Sequence, residues 1–274
     1  MQLCFSTLAC PGWSIAQMVS AAGAHGIEGI DFRGIGEEID ITRSSHFQAE
    51  LKHTLALFGQ HALAMPCLNT SVTLVSPAAD RWQMMLEECH RYAMLAPQTH
   101  SRYLRIFGGA VPKGMTPAEA LTMARRHLRQ VVHICAAQSC LPLLETHDDW
   151  ATAPAMLAML EGFEPRQVGV LWDLEHPYRR GERPVDTATA LRPFVRHVHV
   201  KDSVRRDGKN IPRLLGEGDL PLEEMFQALR GIGYDDWICL ETEKRWHADA
   251  PDPEQSIPQF VQYMKGRWPR GKSQ

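Results

Sequence analysis

Several apolar runs in the second half of the chain end abruptly in acidic and imidazole side chains. The clearest is VGVLWDLEHPY, from Val168 to Tyr178, where an apolar run is followed by Asp173, Glu175 and His176. Carboxylates and imidazoles are the side chains that bind divalent metals and transfer protons. Their position at the end of a buried run makes this stretch a candidate for chemistry.

The same arrangement recurs in four consecutive apolar runs, which carry Glu145, Asp173, His199 and Glu241. Singly, such acids are more often solvated loop carboxylates, and a histidine like His199 is more often a hydrogen-bonded core residue. Four in succession favour a shared role, because buried acids without a cation repel and raise one another's pKa values. The four residues are therefore predicted to bind one divalent ion. Their oxygen and nitrogen donors suit Mn²⁺, Mg²⁺, Co²⁺ or Zn²⁺ and do not choose among them.

Eight apolar, often β-branched runs alternate with stretches of helical spacing. The predicted strands cover residues 3–7, 26–33, 62–69, 103–109, 141–147, 168–176, 196–202 and 236–243. This alternation predicts an α/β fold, a single (β/α)₈ TIM barrel, in which the carboxyl ends of the strands meet on one face. A doubly wound sheet is the alternative, but the GxGxxG turn that it favours is absent from the sequence. No Pro- or Ser-rich linker divides the chain, so residues 1–274 are predicted to form one domain.

Alternation along a strand predicts which side chains face the barrel interior. In RHVHVKD, the residues His197, His199 and Lys201 share one face, and the intervening valines share the other. Because valines favour the helix-covered side, His199 and Lys201 are predicted to point inward, with Lys201 nearer the rim. Glu241 and Glu243 share a face in the same way.

Two helix starts carry capping signals. Ser14 and Gln17 match the S-x-x-Q capping box, and Gly23 or Gly26 is expected to end that helix. Thr116 begins a second box, TPAE, with proline in the first turn.

Two later stretches also carry local predictions. In LLGEGDLP, the glycines predict a tight loop and Asp219 is expected to cap the next helix. A phosphate-binding role for this loop is the alternative, but a lone G-x-G is a weak signal. The basic tail, residues 268–274, is predicted to be frayed.

Composition excludes several classes of protein. The formal net charge is −3, so no global basic field attracts nucleic acid, and no nucleic-acid partner is expected. No apolar run approaches the roughly 20 residues that cross a bilayer, and the N-terminus does not resemble a signal peptide. A cytoplasmic location without membrane association is therefore expected. The seven cysteines include no CxxC pair and are predicted to be reduced packing residues.

The motifs FSTLACPGWS, GIEGIDFRG, LLETHDDW, LWDLEHPY, HVHVKDS, LLGEGDLPLEEMFQALRGIGYDDWICLETE and KRWH occur in this order. Together they resemble the xylose isomerase-like TIM-barrel superfamily of sugar isomerases and epimerases, over nearly the whole chain. In that family, Glu, Asp, His and Glu from strands five to eight hold the metal. The resemblance implies the same ligands as the residue types do, namely Glu145, Asp173, His199 and Glu241.

The resemblance also implies an activity and the residues that carry it. The expected protein is a divalent-metal-dependent isomerase or epimerase of a sugar or cyclitol that acts through a metal-stabilised ene-diolate. Glu145 and Glu241 would transfer protons to and from carbon as the catalytic pair. The implied substrate contacts are His176, Lys201, Arg205, Arg33 and His147, and the implied assembly is a homodimer or homotetramer.

Departures from the family pattern leave alternatives open. Ketose 3-epimerases of the superfamily carry a second glutamate six residues after the first, where this chain has Ala151. The HVKD form is closer to the inositol-catabolism branch, which makes an inosose-type dehydratase the main alternative. An AP-endonuclease-like nuclease needs further histidines at early strand ends, whereas the third predicted strand ends in Asn69. A non-catalytic barrel that kept its site is the remaining alternative.

Overall fold

The computed structural model describes residues 1–268, and its central feature is an eight-stranded sheet. The chain's strands are β1 (Gln2–Ser6), β2 (Gly29–Asp31), β3 (Cys67–Thr73), β4 (Tyr103–Phe107), β5 (Leu141–Glu145), β6 (Gly169–Asp173), β7 (Val195–Val200), β8 (Asp202–Arg206), β9 (Lys209–Arg213) and β10 (Trp237–Leu240). The sheet order is β2-β1-β10-β7-β6-β5-β4-β3, while β8 and β9 form a separate antiparallel hairpin. The strand pairings defined residue by residue in the large sheet are parallel.

Helices occupy the stretches between the strands, as parallel pairing requires. They are α1 (Ile15–His25), α2 (Leu51–Gln60), α3 (Ala79–Leu95), α4 (Pro117–Ala137), α5 (Ala153–Leu160), α6 (Glu175–Arg179), α7 (Pro184–Leu191), α8 (Leu222–Gly231) and α9 (Pro253–Met264). Both predicted capping boxes are present, at Ser14 and Thr116. Helix α1 ends at Gly26, whose φ of 69° lies in the left-handed region that glycine adopts without strain.

The chain divides into two compact units. Among the described residues, the first unit contains residues 1–66 and 198–268, and the second contains residues 67–197. In the first unit, Phe5, Phe32 and Phe226 are fully buried, and the ring of Phe32 lies 4.9 Å from that of Phe47. The first unit therefore has an aromatic core of its own.

The second unit has a core built on the facing residues of its strands. Cys67, Tyr103, Leu143 and Leu171 pack together, one from each of β3, β4, β5 and β6. Fully burying the two leucine side chains contributes roughly 1.5–3 kcal/mol each. This packing fixes the register of β5 and β6, at whose ends the predicted site residues stand.

Several local predictions are wrong. The third strand begins at Cys67 rather than residue 62, because Ala62 adopts a positive φ and Pro66 has no N–H for a ladder. Asp219 does not cap α8, since Pro221 occupies the N-cap position; Asp219 instead accepts a hydrogen bond from Arg205 N at 2.9 Å. Trp268 is not frayed, because it is buried against Phe226; the rest of the predicted tail lies outside the described residues.

The hairpin of β8 and β9 was not predicted, although its turn carries a signal. Asp207 and Gly208 both have positive φ, as two-residue hairpin turns require. The strands are polar and lack apolar alternation, which is why the periodicity does not reveal them.

Asp202, the first residue of the hairpin, organises the loop of the LLGEGDLP motif. Its carboxylate accepts hydrogen bonds from the backbone N–H groups of Gly216, Gly218 and Leu220 at 2.8–3.4 Å. Burial raises the pKa of Asp202 more than these N–H donors lower it. The loop thus has the structural role that the sequence favours.

Candidate metal centre

Two carboxylates stand at the carboxyl ends of neighbouring strands in the second unit. Glu145 is the last residue of β5 and Asp173 the last of β6, and these strands pair with Glu145 opposite Leu171. Both side chains are buried, with 2% and 0% of their residues' surface exposed. One ligand oxygen of Glu145 lies within 4.8 Å of one of Asp173. The packed strands therefore hold two acids at a spacing that a single cation can bridge.

The local backbone fixes the orientation of Asp173. Its Oδ1 accepts hydrogen bonds from Glu175 N at 2.8 Å and His176 N at 3.4 Å. These bonds turn the chain from β6 into the short helix α6, so His176 lies on a helix and not at the end of a strand as predicted. The Nε2 atom of His176 then lies 3.7 Å from Asp173 Oδ2. The structure brings these two predicted residues together.

Arg105, in the middle of β4, is the partner of Glu145. Its Nε lies 3.3 Å from Glu145 Oε2 and donates to Asn69 Oδ1 at 3.3 Å, while its guanidinium stacks 3.8 Å from the centre of the Phe107 ring. Among the described residues, Arg105 Nη1 and Asn69 Nδ2 are buried with no hydrogen-bond partner. These are donors placed beside the candidate ligands.

Arg105 was not among the site residues predicted from the sequence. The signal was present, because an arginine inside the apolar run YLRIF needs a buried partner. Its partner, Glu145, is 40 residues away in sequence, counting from the two residue numbers, and only the pairing of β4 with β5 brings the two together.

His147 follows β5 and lies beside His176. The two imidazole rings are 4.4 Å apart in an edge-on arrangement, and His147 also contacts the Phe107 ring at 4.9 Å. A hydrogen bond from His147 lowers the pKa of Asp148 below its usual value, so that carboxylate is ionised at neutral pH. Predicted residues His147 and His176 thus form one wall with Asp173.

The first unit brings together the other two predicted ligands. His199 lies on β7, and Glu241 follows β10, whose Cys239 pairs with His199. His199 Nδ1 lies 3.1 Å from Glu241 Oε1, and both residues are buried. The prediction that His199 turns away from the helix-covered face agrees with this contact.

Lys201 and Asp31 complete the surroundings of this pair. Lys201 Nζ contacts Glu241 Oε2 at 3.2 Å and Glu243 Oε1 at 2.7 Å. Asp31 Oδ2, at the end of β2, lies 3.6 Å from His199 Nε2, and Asp31 is fully buried. Asp31 was not among the predicted site residues, although an acid at the end of the apolar run GIDF is the same signal that identified the later strands.

Two predicted substrate contacts have different surroundings. Arg33, just after β2, is half-buried, and its Nη1 donates to Ile39 O at 3.5 Å. Arg205 is exposed on β8. Their roles stay predictions.

The donor set fits a divalent ion. Two buried carboxylates within 4.8 Å of each other favour a cation in addition to Arg105, and His199 presents a ring nitrogen to a third carboxylate. Carboxylate oxygens with one imidazole nitrogen are ligands for Mn²⁺, Mg²⁺, Co²⁺ and Zn²⁺.

No helix within residues 1–268 has the length and apolar character needed to cross a bilayer.

The eight-stranded sheet with helices between its strands places the chain in the α/β class. Similarity to known proteins identifies the family. Residues 17–266 match the family model of the xylose isomerase-like TIM barrel. The chain belongs to this family, which confirms both the predicted (β/α)₈ fold class and the resemblance.

Known proteins similar to this chain include a dehydratase and two barrels of related type. The 3-dehydroshikimate dehydratase of Bacillus anthracis is 26% identical over 130 residues, 47% of this chain. That match spans 46%, about half, of the relative's own length. The crystal structure of a D-tagatose 3-epimerase-like protein has a TM-score of 0.80 and 16% identity, covering 97% of each chain. The IolI protein with a bound zinc atom has a TM-score of 0.77 and 15% identity, covering 97% of this chain and 96% of its own. At these identities, the two structures show a common fold.

Proposed function

We propose that Glu145, Asp173, His199 and Glu241 hold one divalent metal ion. The observation that carries the proposal is the placement of the ligands within each unit. Glu145 and Asp173 end the paired strands β5 and β6, and His199 on β7 contacts Glu241, which directly follows β10. Active sites of TIM barrels are built at the carboxyl ends of the strands. The zinc atom of the IolI structure supports a metal in this fold.

We infer that the protein is a metal-dependent isomerase or epimerase of a sugar or cyclitol. A bound divalent ion supplies Lewis-acid polarisation of a substrate carbonyl. One of the carboxylates Glu145 and Glu241 removes a proton from the neighbouring carbon, and the other returns a proton. Arg105 and Lys201 orient these glutamates through contacts of 3.3 and 3.2 Å.

Polar groups beside the ligands are proposed to bind the substrate oxygens. His176 and His147 line the Asp173 side, and Lys201 lies beside Glu241. Arg105 Nη1 and Asn69 Nδ2 add buried donors that were not predicted from the sequence. We retain Arg33 and Arg205 as proposed contacts because each lies on or just after a strand of the first unit.

A dehydratase is the second candidate, and the sequence similarity to 3-dehydroshikimate dehydratase favours it. The first step is the same, because a proton next to a carbonyl is removed. The two reactions diverge afterwards: an isomerase reprotonates carbon, whereas a dehydratase expels the neighbouring hydroxyl group as water.

Exchange with deuterated water separates these candidates. The purified protein, loaded with Mn²⁺, is incubated in deuterated water with a panel of ketoses, inososes and 3-dehydroshikimate. Carbon-bound deuterium in recovered substrate or its epimer supports the isomerase, whereas stoichiometric loss of water supports the dehydratase. If no substrate of the panel gives either deuterium incorporation or loss of water, both proposals are contradicted.

The location and assembly stay predictions. A cytoplasmic protein, a small-molecule substrate and a homodimer or homotetramer are all proposed on the basis of family resemblance and composition.

A further inference from the structure

A second group of metal-binding side chains lies in the first unit, apart from the four proposed ligands. Cys4 on β1 pairs in register with Cys239 on β10, and Ser6, two residues after Cys4, pairs with Asp31 on β2. Because residues two apart on a strand share a face, Cys4, Cys239 and Asp31 point to the same side of the sheet. All three are completely buried.

The ligand atoms of this group are close enough to share an ion. One sulfur from each cysteine and one oxygen of Asp31 lie within 4.8 Å of one another. A tetrahedral zinc ion with bonds of about 2.3 Å holds two sulfurs about 3.8 Å apart. Side-chain movements of an ångström or less therefore convert the observed arrangement into a bound one.

The chemistry of the group differs from that of the proposed catalytic set. Thiolates select zinc and other thiophilic ions, whereas carboxylates accept Mn²⁺ and Mg²⁺ as well. Asp31 links the two groups, because its Oδ2 lies 3.6 Å from His199 Nε2. The other nitrogen of the same imidazole ring faces Glu241.

Without a metal ion, the two cysteines are part of an apolar cluster. Cys4 and Cys239 pack against Trp237 as small apolar residues, which protonated thiols do at no electrostatic cost. Binding an ion releases the thiol protons and replaces that packing with metal–sulfur bonds.

We propose that Cys4, Cys239 and Asp31 form a second metal site, selective for a thiophilic divalent ion such as Zn²⁺. Because the group is fully buried, the ion enters as the chain folds. The site is structural: it braces β1, β2 and β10 behind His199. The proposal does not depend on the proposed reaction.

Cobalt is the probe that tests the site, because thiolate ligands give Co²⁺ an intense charge-transfer absorption that oxygen and nitrogen ligands do not. The full chain is unfolded under anaerobic conditions, freed of metal and refolded with excess Mn²⁺ and increasing Co²⁺. We expect the sulfur-to-cobalt band to saturate at one equivalent. The Cys4→Ala and Cys239→Ala variants should weaken the band by at least half, and the double variant should abolish it.

Two controls keep the result specific. Cys67→Ala removes an equally buried thiol from β3 and should leave the band unchanged. Glu145→Gln should keep the band while losing Mn²⁺ binding, which separates this site from the proposed catalytic one. The sulfur-to-cobalt band of the wild-type protein tests the proposed site even where a variant fails to fold. Absence of the band in refolded wild type, its persistence in the folded double variant, or a Cys4–Cys239 disulfide in the purified protein would overturn the proposal.

Discussion

Arg105 and Glu145 form a buried ion pair in the second unit. Both side chains are 2% exposed, so each charge depends on the other and on nearby dipoles for stabilisation. Arg105 also contacts Asn69 and Phe107, which restricts its rotamers. The glutamate side chain is consequently held in place at the end of β5.

Replacing Arg105 should be costly. Arg105→Met leaves the Glu145 carboxylate buried without its partner, so we expect the free energy of unfolding to fall by about 3–5 kcal/mol. Urea unfolding measures the loss. The double variant Arg105→Met/Glu145→Gln should recover part of it, because no buried charge remains. A double variant as unstable as the sum of the single changes would contradict the charge-pair account.

Glu241 carries the proposed proton transfer on the side of the first unit. Glu241→Gln keeps the shape of the side chain and removes its basicity, so deuterium exchange into substrate should fall by about 10²–10⁴-fold. Circular dichroism should show an unchanged fold. Glu223→Gln is the matched control, since Glu223 is a glutamate of the same unit that pairs with Arg230 on α8. Exchange in Glu241→Gln at the control's rate would contradict the assignment.

At the scale of elements, the loop after β9 depends on close contact between a glycine and a carboxylate. A Cβ atom added at Gly218 would lie 1.9 Å from Asp202 Oδ1 and 2.6 Å from Ser203 O. The backbone there must move, and hydrogen bonds to Asp202 would be lost.

The glycine prediction has an internal control. Gly218→Ala should lower the free energy of unfolding by about 1–3 kcal/mol, as overpacking does. Gly231→Ala, at the end of α8 where nothing lies within 4 Å of the new Cβ, should be neutral or stabilising by up to about 1 kcal/mol. Equal effects in the two variants, measured by chemical denaturation, would show that the contact with Asp202 is unimportant.

The start of a strand was predicted accurately where the strand is filled with apolar residues and polar residues follow it. The strands at β5 and β6 begin within one residue of prediction, because apolar residues fill them and polar residues follow. The third strand was displaced because the alternation of ALAMPCLN does not reveal the turn at Ala62. The β8–β9 hairpin was missed because its strands are polar.

Residues of the two proposed sites could be identified from the sequence where they end strands, but not where their contacts depend on the pairing of distant segments. Asp173 and His199 follow from position and alternation within one strand. Arg105 and the Cys4–Cys239 pair do not, because their partners lie far away in sequence. No spacing rule connects residues 4 and 239, so a search for CxxC motifs could not find them.

For the whole molecule, binding of one metal ion by the four proposed ligands should stabilise the folded chain. A ligand that binds only the folded chain stabilises it by RT ln(1 + [L]/Kd), about 2.7 kcal/mol at 100 times Kd. Mn²⁺ is the appropriate probe because it disfavours the thiolate group. A rise in the unfolding temperature with Mn²⁺, reversed by a chelator, is therefore expected.

The most direct test is calorimetric titration of metal-free protein with Mn²⁺. We expect one equivalent to bind to wild type and to the Cys4→Ala/Cys239→Ala variant. That binding should be lost in Glu145→Gln, Asp173→Asn, His199→Gln and Glu241→Gln, each of which removes one proposed ligand. Binding of no Mn²⁺ by wild type, or unchanged affinity in these four folded variants, would contradict the proposed four-ligand site.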